Sequence, residues 1–297
     1  GKMELFLERL MSMEDKDSVL YGESFITREN DVYISTYPKC GTTWVSLISH
    51  CLRSRGNLNF EEIVQVVPWT IFAKDCGIDL YTEQINNPRL FKTHRMFELH
   101  EHPARYIYVA RDPHDACLSF YHFLLDWVQL TPDDVSIEEF INRMFAAGGS
   151  NSGRIWEHYL SYYRQKDNPN VLWIFYEDLI TDREKCIEVI ANFLGIPLDD
   201  ELRAITMEQS SFQFMKTHDY LFDEHVVFDA CKVRMGFDPD TKVRCNKINK
   251  GKQGESKRVL SQEMRDLLDL RWKEVITSQT GIESYQDLRA QLSPLKK

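Results

Sequence analysis

The sequence predicts an α/β fold: a central, mostly parallel sheet flanked by helices. Two observations predict it. Short β-branched and aromatic runs alternate with stretches whose apolar residues recur at helical spacing. Proline, glycine or a polar turn punctuates the passage from one to the next.

The elements follow in order. "DVYISTYP" (31–38) is a strand stopped by Pro38, and "GTTWVSLISHCLRS" after it carries Trp44, Val45, Leu47, Ile48, Cys51 and Leu52 at helical spacing. "RLFKTH" (89–94) follows the Asn87-Pro88 turn and is a short strand. "RYIYVARDP" (105–113) is a buried strand ending in a polar turn, and "DACLSFYHFLLDWV" resumes the helical period. "NVLWIFYEDL" (170–179) is a further apolar strand, and "DREKCIEVIANFLG" a helix stopped by Gly195 and Pro197. There is no internal repeat and no low-complexity linker, so residues 1–297 are expected to form a single domain. Residues 1–20 are a lead-in. Residues 219–249, less regular and rich in Asp, Phe and Val, are expected to be a long surface excursion.

Composition narrows the function. Hydrophobic residues make up 43% of the chain, enough for a real core. No apolar run approaches the ~20 residues of a membrane helix, and the opening residues lack the basic, apolar and small-residue order of a signal peptide. The seven cysteines form no CxxC pair, so neither a disulfide framework nor a zinc site is expected, and reduced thiols point to the cytoplasm. A net charge of −10 speaks against nucleic acid as partner but not against a small anion held by a local cluster of cations.

The loop "TYPKCGTTW" (36–44) joins a strand to a helix. A nucleoside-triphosphate loop reads GxxxxGK[ST]; here Thr36 stands in place of the first glycine and Thr42 in place of the lysine. The architecture still offers helix N-terminal amides to an anion. Thr42 and Thr43 add hydroxyls, and Lys39 precedes the turn. On this loop alone, a purely structural strand-to-helix turn stays open.

The order YPKxGTTW, KTH, YVARDPxDxxxSFYHF and FYEDL resembles the PAPS-dependent sulfotransferases of the cytosolic type, from about residue 20 to about residue 275. PAPS is 3′-phosphoadenosine 5′-phosphosulfate. The resemblance implies a P-loop-kinase-like, three-layer architecture and a sulfuryl transfer from PAPS to a hydroxyl or amine of a small molecule, with no metal. It implies that Lys39 offsets charge on the bridging oxygen, that Lys92 contacts the sulfuryl oxygens, and that His94 is the general base. Strand alternation puts Lys92 and His94 on one side. It further implies that Lys39, Cys40, Gly41, Thr42, Thr43 and Trp44 bind the cofactor. Arg111 and Ser119 would take the 3′-phosphate. Trp44 and Phe212 would stack on adenine, with Tyr176 at the purine edge and Ser211 beside it. The last family signature, RKGxxGDWK, reads "NKGKQGESK" here: Asn249, Lys250 and Gly251 fall on the cofactor segment, with Asn249 in place of arginine. The family's dimer motif is not found in "KRVLSQEMRDLL", so a monomer or weak dimer is expected.

The acceptor is expected against Trp69, Phe72, Phe123 and His94, with the 219–249 excursion contributing to its site. Asp75, Asp79, Glu98, Asp126, Asp219, Asp223, Glu224 and Asp229 crowd the same segments. They are either a solvated acidic rim or the mark of a polar or cationic acceptor in a specialised biosynthetic pathway; the alternative acceptor is a phenol, steroid or alcohol in detoxification. Two competing functions remain. A small-molecule P-loop kinase would need a Walker lysine, which is missing, and a magnesium carboxylate, which Asp178 could imitate. A non-catalytic nucleotide binder would not need Lys39, Lys92 and His94 together.

Overall fold

The computed structural model describes residues 1–98, 103–148, 150–245 and 254–296. Four strands form one parallel sheet in the order β2-β1-β3-β4: β1 Val32–Thr36, β2 Leu90–Thr93, β3 Arg105–Ala110 and β4 Val171–Phe175. Val32 lies opposite both Leu90 and Arg105, and Tyr106 opposite Val171. Parallel neighbours need crossover connections. Helices of six residues or more supply them and pack around the sheet: α1 Lys2–Met11, α2 Lys16–Glu23, α3 Thr42–Ser54, α4 Pro113–Val128, α5 Ile155–Tyr163, α6 Tyr176–Thr181, α7 Arg183–Leu194, α8 Asp200–Gln209, α9 Phe212–Thr217, α10 His225–Cys231, α11 Gln262–Trp272 and α12 Tyr285–Leu292.

Strand alternation gives the sheet two unlike faces. Ile34, Ile107, Val109 and Ile174 pack with Val45, Ile48, Ile187 and Ile190 of α3 and α7 in an aliphatic layer. Tyr106, Tyr108, Trp173 and Phe175 face the other way, into an aromatic layer with Phe120, Trp127, Tyr159 and Tyr162. The chain leaves β1 towards β2 on one side, while β3 lies on the other. Such a switch point opens a crevice at the carboxyl ends of the strands, and the loop after β1 sits there.

Three expectations need correction. The run 170–179 is a strand only to Phe175; from Tyr176 it turns helical, with Glu177 and Asp178 in the first turn, where the helix dipole favours acids. Of the expected excursion at 219–249, the described part, 219–245, is not simply a surface excursion. Asp219–Leu221 and α10 carry Leu221, Val227, Phe228 and Cys231 into the core, and Phe222 and Met235 are buried with them. Nor are residues 1–20 a mere lead-in: Met3 and Phe6 are buried, and the Ser18 hydroxyl donates to the Ile71 carbonyl at 2.7 Å.

Candidate active site

The crevice is a cavity of about 820 Å³ that runs from the first loop to the N-terminal helices. At one end lies the turn between β1 and α3. Lys39 and Gly41 have φ of 68° and 107°, the left-handed region that glycine occupies most readily. A Cβ on Gly41 would come within 3.3 Å of both Tyr176 Cδ2 and Val109 Cγ1. The backbone there is pressed against the sheet, leaving the start of α3 open to the cavity. Thr43 lines it; Thr42 does too, with its hydroxyl 2.6 Å from that of Thr36. Lys39 Nζ sits 4.6 Å from the centre of the Phe123 ring.

Arg111, at the end of β3, braces this loop: Nη1 donates to the Lys39 carbonyl at 3.0 Å, and the guanidinium lies 4.0 Å from the Tyr176 ring centre. Its Nε is buried with no hydrogen-bond partner among the described residues, an uncompensated donor that suits an anion. Ser119 on α4 lines the same cavity. Trp44 Nε1 donates to the Ser210 carbonyl at 2.9 Å, and its ring meets Tyr176 edge-on at 5.7 Å. Phe212 also lines the cavity and is 40% exposed, which leaves a ring face available.

Two expected contacts are not brought together. Ser211 is the N-cap of α9: its hydroxyl accepts from the Phe214 amide at 3.1 Å and donates to the Glu208 carbonyl at 2.7 Å, and it does not line the cavity. The Cys40 side chain turns into the core towards the Tyr159 hydroxyl, and burial pushes its thiol up to about 12. Only main-chain groups of Cys40 can serve a ligand. Asn249, Lys250 and Gly251 lie outside the described residues. The structure also removes the magnesium-site imitation: Asp178 is held by Arg289 and Ser293, each at 2.6 Å, away from the cavity.

Midway along the cavity Lys92 and His94 meet as the strand period predicts, although β2 itself ends at Thr93. His94 Nδ1 lies 2.9 Å from the Thr36 carbonyl and 3.2 Å from its hydroxyl. A carbonyl only accepts, so Nδ1 carries the proton and the basic lone pair belongs to Nε2. The Trp69 ring meets His94 edge-on at 5.2 Å. Lys92 Nζ lies 4.2 Å from the Trp69 ring centre and forms a buried ion pair with Glu224, which holds a left-handed φ of 59° just before α10.

The same cavity holds Trp69 and Phe72, 4.4 Å apart, and Phe123, which stacks on Trp127 at 5.6 Å. Of the eight acidic residues, Asp126 and Glu224 line the cavity. The others do not: Asp75 pairs with Arg234, Asp229 with Lys232 and Asp223 with His225, while Asp79 bonds Tyr21. Asp79, Glu98, Asp219 and Asp229 are exposed, as a solvated rim requires, while Asp75 and Asp223 are partly buried. Sequence reasoning missed Glu14, Arg95 and Arg183, which all line the cavity. Glu14 pairs with Arg95 at 3.1 Å and accepts from Asn151. Burial pushes the carboxyls of Glu14 and Asp126 above their usual range. No local period connects Glu14 to Arg95, so no sequence signal could have found that pair; Arg183, just after FYEDL, was within reach.

Comparison with known proteins agrees with this geometry. The family model described as "Sulfotransferase domain" matches residues 29–279. The chain is 33% identical to human Sulfotransferase 1E1 over 216 residues, covering 68% of this chain and 73% of that protein. It is 32% identical to zebrafish Cytosolic sulfotransferase 1 over 208 residues, covering 65% and 69%. Among solved structures, mouse sulfotransferase SULT7A1 complexed with PAP superposes with a TM-score of 0.66 at 23% identity, over 91% of this chain and 93% of that one. Retinol dehydratase in complex with androsterone and PAP gives 0.62 at 20% identity, over 88% and 84%. With the loop, the braced arginine and the lysine–histidine pair in one crevice, the chain belongs to the sulfotransferase family, among its PAPS-dependent enzymes of the cytosolic type.

Proposed function

We propose that this enzyme moves the sulfuryl group of PAPS in line onto a hydroxyl or amine of a small-molecule acceptor, with His94 as the base. The observation that carries the reading is the tautomer of His94, fixed by Thr36, in a cavity that it shares with Lys39 and Lys92. His94 Nε2 takes the proton of the acceptor. The acceptor oxygen or nitrogen bonds to sulfur as the bond from sulfur to the bridging oxygen breaks. The electron pair leaves on the phosphate of PAP, where the Lys39 ammonium offsets it, while Lys92 attends the sulfuryl oxygens. The amides at the start of α3, with Thr42 and Thr43, suit the 5′-phosphate; Arg111 and Ser119 suit the 3′-phosphate; Trp44, Phe212 and Tyr176 suit adenine. No step calls for a metal, so a chelator should leave turnover unchanged. The thiol form of Cys40, Cys51, Cys76, Cys117, Cys186 and Cys231 supports a cytoplasmic setting.

Trp69, Phe72 and Phe123 form the acceptor wall. Glu224, Asp126 and Glu14 inside the same cavity favour a polar or cationic acceptor. The aromatic wall itself supports the second reading, a phenol, steroid or alcohol, and the matched relatives include a 3-alpha-hydroxysteroid sulfotransferase from guinea pig. Thermal stability with PAP, set against ATP plus magnesium, tests the nucleotide. A ligand that binds only the folded form raises the melting temperature. A shift with ATP–magnesium alone would overturn the reading and favour a kinase. Turnover of matched amine-bearing and neutral acceptors then decides between the two acceptor classes.

A further inference from the structure

His94 is held at a second point. Its carbonyl oxygen lies 2.8 Å from His158 Nε2, and His158 Nδ1 lies 2.6 Å from the Tyr108 hydroxyl. The carbonyl can only accept, so His158 carries its proton on Nε2, and Nδ1 accepts from Tyr108. His158 is fully buried on α5, with Tyr108 of β3 stacked on it at 5.5 Å and Tyr162 at 5.9 Å. Burial pushes the imidazole down to about 4, so it is neutral when the enzyme works. Three elements with no local sequence relation therefore meet at one peptide: the end of β2, the middle of β3 and the middle of α5.

We propose that His158 is a positioning residue for the reaction, and that its Nε2–H, itself oriented by Tyr108, fixes the peptide of His94. The inference rests on His94 being the base. β2 ends at Thr93, so the ladder of the sheet no longer holds the main chain at His94. Without His158 the ring would keep its bond to Thr36 and the Arg95 amide its bond to the Thr93 hydroxyl, but the carbonyl side of the His94 peptide would lose the hydrogen bond that sets its direction. A misplacement of about 1 Å can cost on the order of 100-fold in rate.

The test uses the full chain and reads kcat, acceptor KM, PAP affinity and melting temperature. In H158F we expect kcat to fall by about 10- to 100-fold while PAP affinity and KM stay within about twofold. H158Q should recover most of the rate, because the glutamine amide nitrogen reaches the place of Nε2; H158N, whose amide falls at Nδ1, should not. If H158F fails to fold, the Gln–Asn contrast still decides. The double variant H94A/H158F should be no slower than H94A, since residues acting as one unit are not additive. Parental kcat in H158F, equal rates in H158Q and H158N, or a further loss on top of H94A would each overturn the proposal. Parental turnover in H94A would instead remove the base reading, and the positioning role with it.

Discussion

Two parts of the cavity lining are built in opposite ways. The part proposed for the phosphates comes from short runs at the carboxyl ends of adjacent strands: Lys39 to Trp44 after β1 and Arg111 after β3. Its shape is a property of the backbone, with two left-handed residues, a helix start and an arginine bonded to a main-chain carbonyl. The part proposed for the acceptor collects Glu14, Trp69, Phe72, Arg95, Trp127 and Glu224 from separate segments. Its shape is a property of side-chain pairs, chiefly Lys92–Glu224 and Glu14–Arg95. The difference teaches that a part made of backbone should tolerate little change, while a part made of pairs can be retuned by exchanging charges.

Four experiments would break or sharpen that contrast, taken from the largest effect to the smallest. Lys39→Met should lower kcat by about 100- to 1,000-fold, the usual cost of losing one group that stabilises developing charge, with a much smaller change in PAP affinity. A variant with parental kcat in single-turnover assays would remove Lys39 from the chemistry. Gly41→Ala should destabilise the protein by about 1–3 kcal/mol and weaken PAP binding, because the new Cβ meets Tyr176 and Val109 in a backbone conformation that resists it. Unchanged melting and PAP titrations would mean that the loop yields more easily than its packing implies.

Glu224→Gln should raise KM for an amine-bearing acceptor by about tenfold, roughly one charge-assisted contact, and leave KM for a neutral analogue unchanged or lower. An equal change for both acceptors would reduce Glu224 to a partner of Lys92. The smallest effect is on acid stability. Burial, helped by the Arg53 charge, pushes His50 down to about 4, and burial does the same to His158. Both pKa values lie below the ordinary 6.5, so the unfolded chain binds more protons between about pH 6.5 and 4. The contribution of these two groups is present above that window and is lost as pH falls through it, by about 1.4 kcal/mol per tenfold in proton affinity. The raised carboxyls of Glu14, Asp112, Asp126 and Glu177 act in the opposite sense. His50→Gln should therefore flatten the fall of melting temperature with acid without altering turnover at neutral pH; a slope as steep as the parent's would show that His50 does not titrate there.

How far the sequence could be read follows the same division. β1, the loop and α3 were legible because alternation, a proline stop and a glycine turn are local signals. The strand at 170–179 was read too long because Tyr176 is as good a strand residue as Phe175; the turn into α6 depends on packing beneath Gly41 and Arg111. The cap role of Ser211 was not legible, since a serine before a short helix can serve as a cap or face a ligand, and only the fold shows that its hydroxyl meets the Phe214 amide. Glu14 and Arg95 were missed because nothing in sequence spacing brings them together.

By itself, then, the sequence determined the sheet-and-helix order, the strand-to-helix loop after β1 and the lysine–histidine pair, because each depends on residues within one or two turns of one another. Tertiary structure decided which acidic residues line the cavity, which nitrogen of His94 carries the proton, and that His158 reaches the His94 carbonyl. Those depend on where separate elements pack, and that is set by the whole core and not by any local run.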